Sequence, residues 1–273
     1  TSDLNGERIF LKCWDERDHH SVAIRYDPRV GIDRFAFKVE FESDLDEFER
    51  RVEAYGIAVE RVAKGDEVGQ GESIRFETPS GHEMELVHDV VKVGSRIPLV
   101  NPPAVPPLDL VGIAPPRLDH CLIHAEEVNE MAHFMMSCFD MHLTEQVLTH
   151  EGHMMGAFLQ RSGRPHDIAV IQGPNGGFHH MSFWLDDWDH VRRAADILSF
   201  HGVSIDIGPT RHGITRGTTI YAFDPSGNRF ETFCGGYQCY PDWKPIRWTW
   251  DEVGAGIFYH DRKLNERFLT VVS

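Results

Sequence analysis

The sequence predicts an α+β protein made of tandem βαβββ modules, paired two to a barrel-like domain, with the first module incomplete. Three observations carry this. The order strand, amphipathic helix, strands recurs on both sides of a Pro-rich segment. A turn recurs with it, as TPSGHEMEL at 78–86 and DPSGNRFET at 224–232. Each of the two most regular helical stripes runs into a glycine, the residue that most easily ends a helix in the left-handed conformation. With 273 residues, 41% of them hydrophobic, the chain is long enough to bury one large or two medium cores.

Within residues 1–28, GERIFLKCW and SVAIRY read as hairpin-like strands. The leading strand and helix of the other copies are absent from this sequence, so the first module is expected to be truncated or only partly observed. RFAFKVEF is the next strand, followed by the helix SDLDEFERRVEAYG. There Ser43 is expected to cap with Asp46, Leu45, Phe48, Val52 and Tyr55 form one stripe, and Gly56 terminates. SIRFETPSGHEMELV then reads as strand, turn and strand, closing an N-terminal domain over 1–94. Proline removes donors and fixes φ, so Pro98, Pro102, Pro103, Pro106, Pro107, Pro115 and Pro116 mark 95–116 as a linker.

The third module starts at RLDHCLI, continues through the helix EEVNEMAHFMMSCF, where Met131, Met135 and Met136 fill core, and ends in strands near MGAFLQ and HDIAVIQ. The fourth comprises FHHMSFWL, the helix DDWDHVRRAADILSFHG with its stripe Trp188, Val191, Ala195, Leu198 and its stop Gly202, and TIYAFDPSGNRFETF. These two modules form a C-terminal domain over 117–235. An aromatic-rich tail, 236–273, is expected to pack on a pocket or a subunit interface.

A formal charge of −16, from 43 acidic and 27 basic residues, repels phosphate backbones and argues against a nucleic-acid partner. No apolar run reaches the length of a membrane span, and TSDLNGER reads as neither signal nor transit peptide, which makes the cytoplasm the expected compartment. Cys13, Cys121, Cys138, Cys234 and Cys239 are odd in number and form no CxxC pair, against both a disulfide framework and a zinc ribbon. The pair His19 and His20, in the charged run DERDHH, reads as a solvated turn.

The chemistry emerges from comparing the repeats. Superposing the two recurrent turns sets Glu85 opposite Glu231, and superposing RFAFKV on HMSFWL sets Arg34 opposite His180. Arginine cannot ligate a metal but can pair with a carboxylate, so only the C-terminal copy is equipped for an ion. His120 in RLDHCL stands at the strand position equivalent to His180 and supplies a third ligand. Two imidazoles and a carboxylate leave half an octahedron open, which suits non-heme Fe(II), with manganese as runner-up. Side chains alternate along a strand, so His179 is expected to face away from the metal, on the more uniformly apolar face with Met181, Phe183 and Leu185.

The stretch PTRHGITRGTTIYAFDPSGNRFE, 209–231, resembles the signature of extradiol ring-cleavage dioxygenases. A histidine, an aliphatic-Tyr pair and an acidic-Pro-x-Gly turn lead to the glutamate ligand, here His212, Ile220, Tyr221, Asp224, Pro225, Gly227 and Glu231. The rest of the chain is similar to the catechol 2,3-dioxygenase family of the vicinal-oxygen-chelate superfamily, with its glyoxalase-like fold. The resemblance implies iron ligands His120, His180 and Glu231, and an acid-base histidine at His166. It also implies that His212 and Tyr221 hydrogen-bond the substrate oxygen, and that Phe158, Ile214, Ile257 and Phe268 form apolar walls. It further implies catechol or a substituted catechol and O2 as substrates, a muconic semialdehyde-type product, a place in aromatic-compound degradation, and a homotetramer. Two other readings share the scaffold: a glyoxalase-like lyase or epimerase, which uses its metal for proton abstraction, and a drug-sequestering module, which needs none.

Overall fold

The computed structural model describes residues 3–5, 8–101, 104–270 and 273. Gly6 and Glu7 of the first predicted strand, Pro102 and Pro103 of the linker, and Val271 and Val272 of the tail lie outside the described residues. The chain divides into two compact units. One comprises residues 1–29, 33–77 and 83–118, and the other 30–32, 78–82 and 119–273.

In the first unit, β1 (Asp3–Asn5), β2 (Arg8–Leu11) and β3 (Val22–Arg25) form an antiparallel three-stranded sheet. His19 beside it is buried against the Phe10 ring, not solvated, and its backbone N–H donates to the Val91 carbonyl. The second module follows as β4 (Arg34–Lys38), α1 (Ser43–Tyr55), β5 (Glu60–Val62), β6 (Ser73–Glu77) and β7 (Glu83–Val87), with sheet order β4-β7-β6-β5. Leu45 and Val52 bury the stripe of α1, and Gly56 ends the helix at φ 100°. The cap differs from expectation. The Phe41 backbone N–H donates to the Asp44 carboxylate at 2.9 Å, while Ser43 is already inside the helix.

In the second unit the same order appears twice. The third module is β8 (Arg117–Ala125), α2 (Val128–Phe139), β9 (His142–Leu148), β10 (Met154–Gln160) and β11 (Ile168–Gln172). The fourth is β12 (Phe178–Trp184), α3 (Trp188–Phe200), β13 (Ile205–Arg211), β14 (Gly217–Phe223) and β15 (Arg229–Gly235). Met131 and Met135 on α2 are fully buried, as core filling requires, whereas Met136 is half-buried. Asp187 caps α3 by accepting from the His190 N–H. The tail adds β16 (Ile246–Thr249), parallel to β9, then α4 (Val253–Ile257) and α5 (Glu266–Thr270). The resulting mixed sheet has the order β13-β14-β15-β12-β8-β11-β10-β9-β16, so β15, β12 and β8 are neighbours.

The repeat is exact in register. Ala36 pairs with Glu85 across parallel β4 and β7, and Ser182 pairs with Glu231 across parallel β12 and β15. Arg34 and His180 each lie two residues before those partners, as the internal superposition requires. The two recurrent turns also close alike: the N–H of Thr78 donates to the His82 carbonyl and that of Asp224 to the Asn228 carbonyl, both at 2.8 Å. Among the described residues, no helix is long and apolar enough to cross a membrane.

Candidate metal centre

Three adjacent strands each contribute one buried ligating group. His120 comes from β8, His180 from β12 and Glu231 from β15, and their ligand atoms all lie within 4.8 Å of one another. His120 Nε2 is 3.0 Å and His180 Nε2 3.4 Å from Glu231 Oε2. Bonds of about 2.1 Å at right angles place ligand atoms about 3 Å apart, so this spacing fits a six-coordinate divalent ion. The second observation of fit is an orphan: His180 Nε2 is buried with no hydrogen-bond partner, on the side facing Glu231. An unpaired buried nitrogen is costly unless something binds it. At the matching place in the other unit, Arg34 Nε donates to the fully buried Glu85 at 2.8 Å, a cation of the protein's own.

Charge follows from this crowding. Burial opposes the charged form of His120, but hydrogen bonds to Asp119 and Glu231 outweigh it and push its pKa up to about 9. Burial alone would raise the Glu231 carboxyl, yet the hydrogen bond from His120 and the neighbouring imidazoles hold it well below the usual range. His180 is lowered to about 4, chiefly by burial. Without an ion, a proton on His120 therefore sits between two carboxylates.

Around the ligands, the other residues implied by the resemblance come close. The His166 ring lies 4.0 Å from that of His120, with its Nδ1 buried and unpartnered, and burial followed by the neighbouring His120 lowers its pKa well below the ordinary value. His212 Nδ1 donates to the Ile257 carbonyl, which can only accept, so Nε2 bears the lone pair and receives the Tyr221 hydroxyl at 2.9 Å. Tyr221 is paired with Glu231 across β14 and β15, and burial and that carboxylate raise its pKa well above 10.

The wall residues separate into two apolar clusters. Phe158 and Ile214 pack with Leu122, Val147, Ala169 and Val253, whereas Phe268 packs with Tyr221 and Phe258, and Ile257 touches both clusters. Phe158 meets the His166 ring at 5.4 Å and Phe268 meets Tyr221 at 4.9 Å.

His179 is turned from the ligand cluster onto Phe268 and His124, at ring distances of 4.7 and 5.6 Å. Its face is not the better-packed one that apolarity suggested, because Met181 and Phe183 are half-buried while Ser182 beside His180 is fully buried. Sequence reasoning also missed Asp119, which accepts from His120 Nδ1 at 3.0 Å and is itself paired with Arg164, and Thr219, which donates to Glu231 Oε1. The signal for Asp119 was its place beside a ligand. Thr219 had its own, two residues before Tyr221 on the neighbouring strand.

Paired βαβββ modules define the vicinal-oxygen-chelate fold, and two imidazoles and one carboxylate on adjacent strands make a candidate metal site within it. Residues 117–232 match the Glyoxalase/Bleomycin resistance protein/Dioxygenase superfamily, and residues 32–90 match a catechol 2,3-dioxygenase-like N-terminal domain. The chain is 44% identical over 268 residues to a metapyrocatechase of Pseudomonas sp. (strain CF600), covering 97% of this chain and 87% of that protein. It is 33% identical to a manganese-dependent 2,3-dihydroxybiphenyl 1,2-dioxygenase of Geobacillus genomosp. 3, covering 94% and 84%. The crystal structure of the 2,3-dioxygenase LapB from Pseudomonas sp. KL28 superposes with a TM-score of 0.86 at 46% identity, covering 89% of this chain and 85% of that one. The chain belongs to the catechol 2,3-dioxygenase (metapyrocatechase) family of extradiol dioxygenases.

Proposed function

We propose that this protein cleaves catechol or substituted catechols beside the diol with O2, giving 2-hydroxymuconic semialdehyde-type products in aromatic-compound degradation, at an Fe(II) ion held by His120, His180 and Glu231. The observation that carries the reading is the meeting of these three groups with an orphaned imidazole nitrogen among them. When bound, the ion supplies positive charge that favours the deprotonated diol and a route for electrons between diol and dioxygen.

The chain's own residues do the rest. Tyr221 and His212, already hydrogen-bonded to each other, hold the diol oxygen and help keep it deprotonated. The Ile257 carbonyl fixes the His212 tautomer, so its Nε2 lone pair can take the diol proton and the imidazolium then donates to the deprotonated oxygen. His166 presents an unpaired Nδ1 to the site and moves the proton between reacting oxygens. Phe158, Ile214, Ile257 and Phe268 line the ring's place and exclude water. Assembly as a homotetramer in the cytoplasm completes the reading; Leu108 and Val111 of the Pro-rich segment remain almost fully exposed on the single chain, consistent with a subunit contact.

The manganese-dependent relative favours Mn(II) as a second reading of the ion. Metal-free protein loaded anaerobically with Fe(II) or with Mn(II), then given catechol and air, tests both. Stoichiometric oxygen uptake with a yellow product in the Fe(II) sample supports the proposal. Uptake only with Mn(II) corrects the metal, and uptake with neither refutes the reaction.

A further inference from the structure

We propose that His179 is the positioning residue of the His180 imidazole, tying that ligand to the C-terminal helix α5 through the carbonyl of Phe268. The inference rests on the metal-centre reading above and adds a residue to it. His179 and His180 approach through their Nδ1 atoms at 2.6 Å, and His179 Nε2 lies 2.7 Å from the Phe268 carbonyl oxygen. All three residues are buried.

Proton counting gives the relay a direction. A carbonyl only accepts, so His179 Nε2 carries the hydrogen. A neutral imidazole has one N–H, which leaves His179 Nδ1 as an acceptor. The proton in the 2.6 Å contact therefore belongs to His180 Nδ1, and His180 Nε2 keeps its lone pair. That atom is the one found without a hydrogen-bond partner, facing Glu231. The tautomer that ligation requires is thus set from a carbonyl far along the chain. Asp119 does the same for His120 by accepting from its Nδ1 at 3.0 Å.

Arg229 supplies the opposing register. Its Nη1 lies 2.8 Å from His179 Nε2 and 3.1 Å from the Phe268 carbonyl, which can accept from both. With Arg229 donating to His179 Nε2, the hydrogens shift along the relay and His180 Nε2 becomes an N–H. An ion on that nitrogen forbids this register. Asp206 holds Arg229 at 3.0 Å and also pairs with Arg267 of α5 at 2.7 Å, so the far end of the relay is anchored to the same helix.

Zn(II) alone is a suitable probe because it is diamagnetic and needs no substrate. Its affinity is measured by chelator competition for wild type, His180→Ala, His179→Leu and His179→Gln. His180→Ala should lose the site. His179→Leu should bind about 10–100-fold more weakly, the usual loss when a ligand's hydrogen-bond partner is removed. His179→Gln, whose amide both accepts and donates, should recover much of that loss, which packing alone does not explain. Nitrogen NMR of histidine in Zn(II)-loaded wild type should show His180 protonated at Nδ1 and His179 at Nε2, a readout that survives even if the Leu variant fails to fold. A folded His179→Leu protein that binds as tightly as wild type, or a loaded wild type with the hydrogens reversed, overturns the relay. Wild type that binds no Zn(II), or His180→Ala that binds it unchanged, overturns the metal centre as well.

Discussion

His120 holds a proton that a metal ion must displace. Its pKa is raised to about 9 in the metal-free protein, so below that pH each binding event releases one proton. Metal affinity should therefore climb by about tenfold per pH unit from neutrality and level off near 9, as titration with a pH-independent indicator would show. A flat profile over that range would mean that His120 is not the displaced group. His166 has a different part: it touches the His120 ring and is no member of the ligand group. His166→Ala should keep its metal content and lose turnover by about 10²–10⁴-fold, the usual worth of a positioned acid-base group. Metal analysis beside oxygen uptake separates these two outcomes, and undiminished turnover would remove His166 from the mechanism.

Elements became visible in the sequence wherever a period survived. The helix stripes and the paired β6–β7 and β14–β15 hairpins carried clear alternation and a shared turn. By contrast, β5 has only three residues, and β13 has Gly208 and Pro209 within it, which break a strand pattern. In β9 the polar run Thr144, Glu145, Gln146 is buried, which defeats a reading based on apolar alternation. The reason lies in the tail. Glu145 accepts from the Thr215 backbone and Trp248 Nε1 at 2.6 Å and from the Tyr237 hydroxyl at 2.7 Å, so it pins both β16 and the chain before it to the sheet. Replacing Glu145 with Ala leaves one buried and two half-buried donors unmatched. Urea unfolding should show a loss of about 3 kcal/mol or more, with proteolysis first in the tail. Unchanged stability would mean that apolar packing alone seats it.

At the scale of the whole molecule, the recurrence of one module along the chain explains why the candidate site was legible. Comparing the copies exposed the positions at which chemistry departs from structure, and Arg34 against His180 was the decisive contrast. The ligand strands β8, β12 and β15 are far apart in sequence, but the pairing of modules makes them neighbours in one sheet. What lay beyond the sequence was the hydrogen-bond directions around the ligands. Asp119, Thr219 and His179 act through contacts that depend on side-chain orientation, and composition carries no trace of that.

The most direct measurement is anomalous X-ray diffraction at the iron edge from anaerobically iron-loaded crystals. One peak is expected within bonding distance of His120 Nε2, His180 Nε2 and a Glu231 carboxylate oxygen, with no further protein ligand on its open side. Iron located elsewhere, or a fourth side chain closing that side, would contradict it.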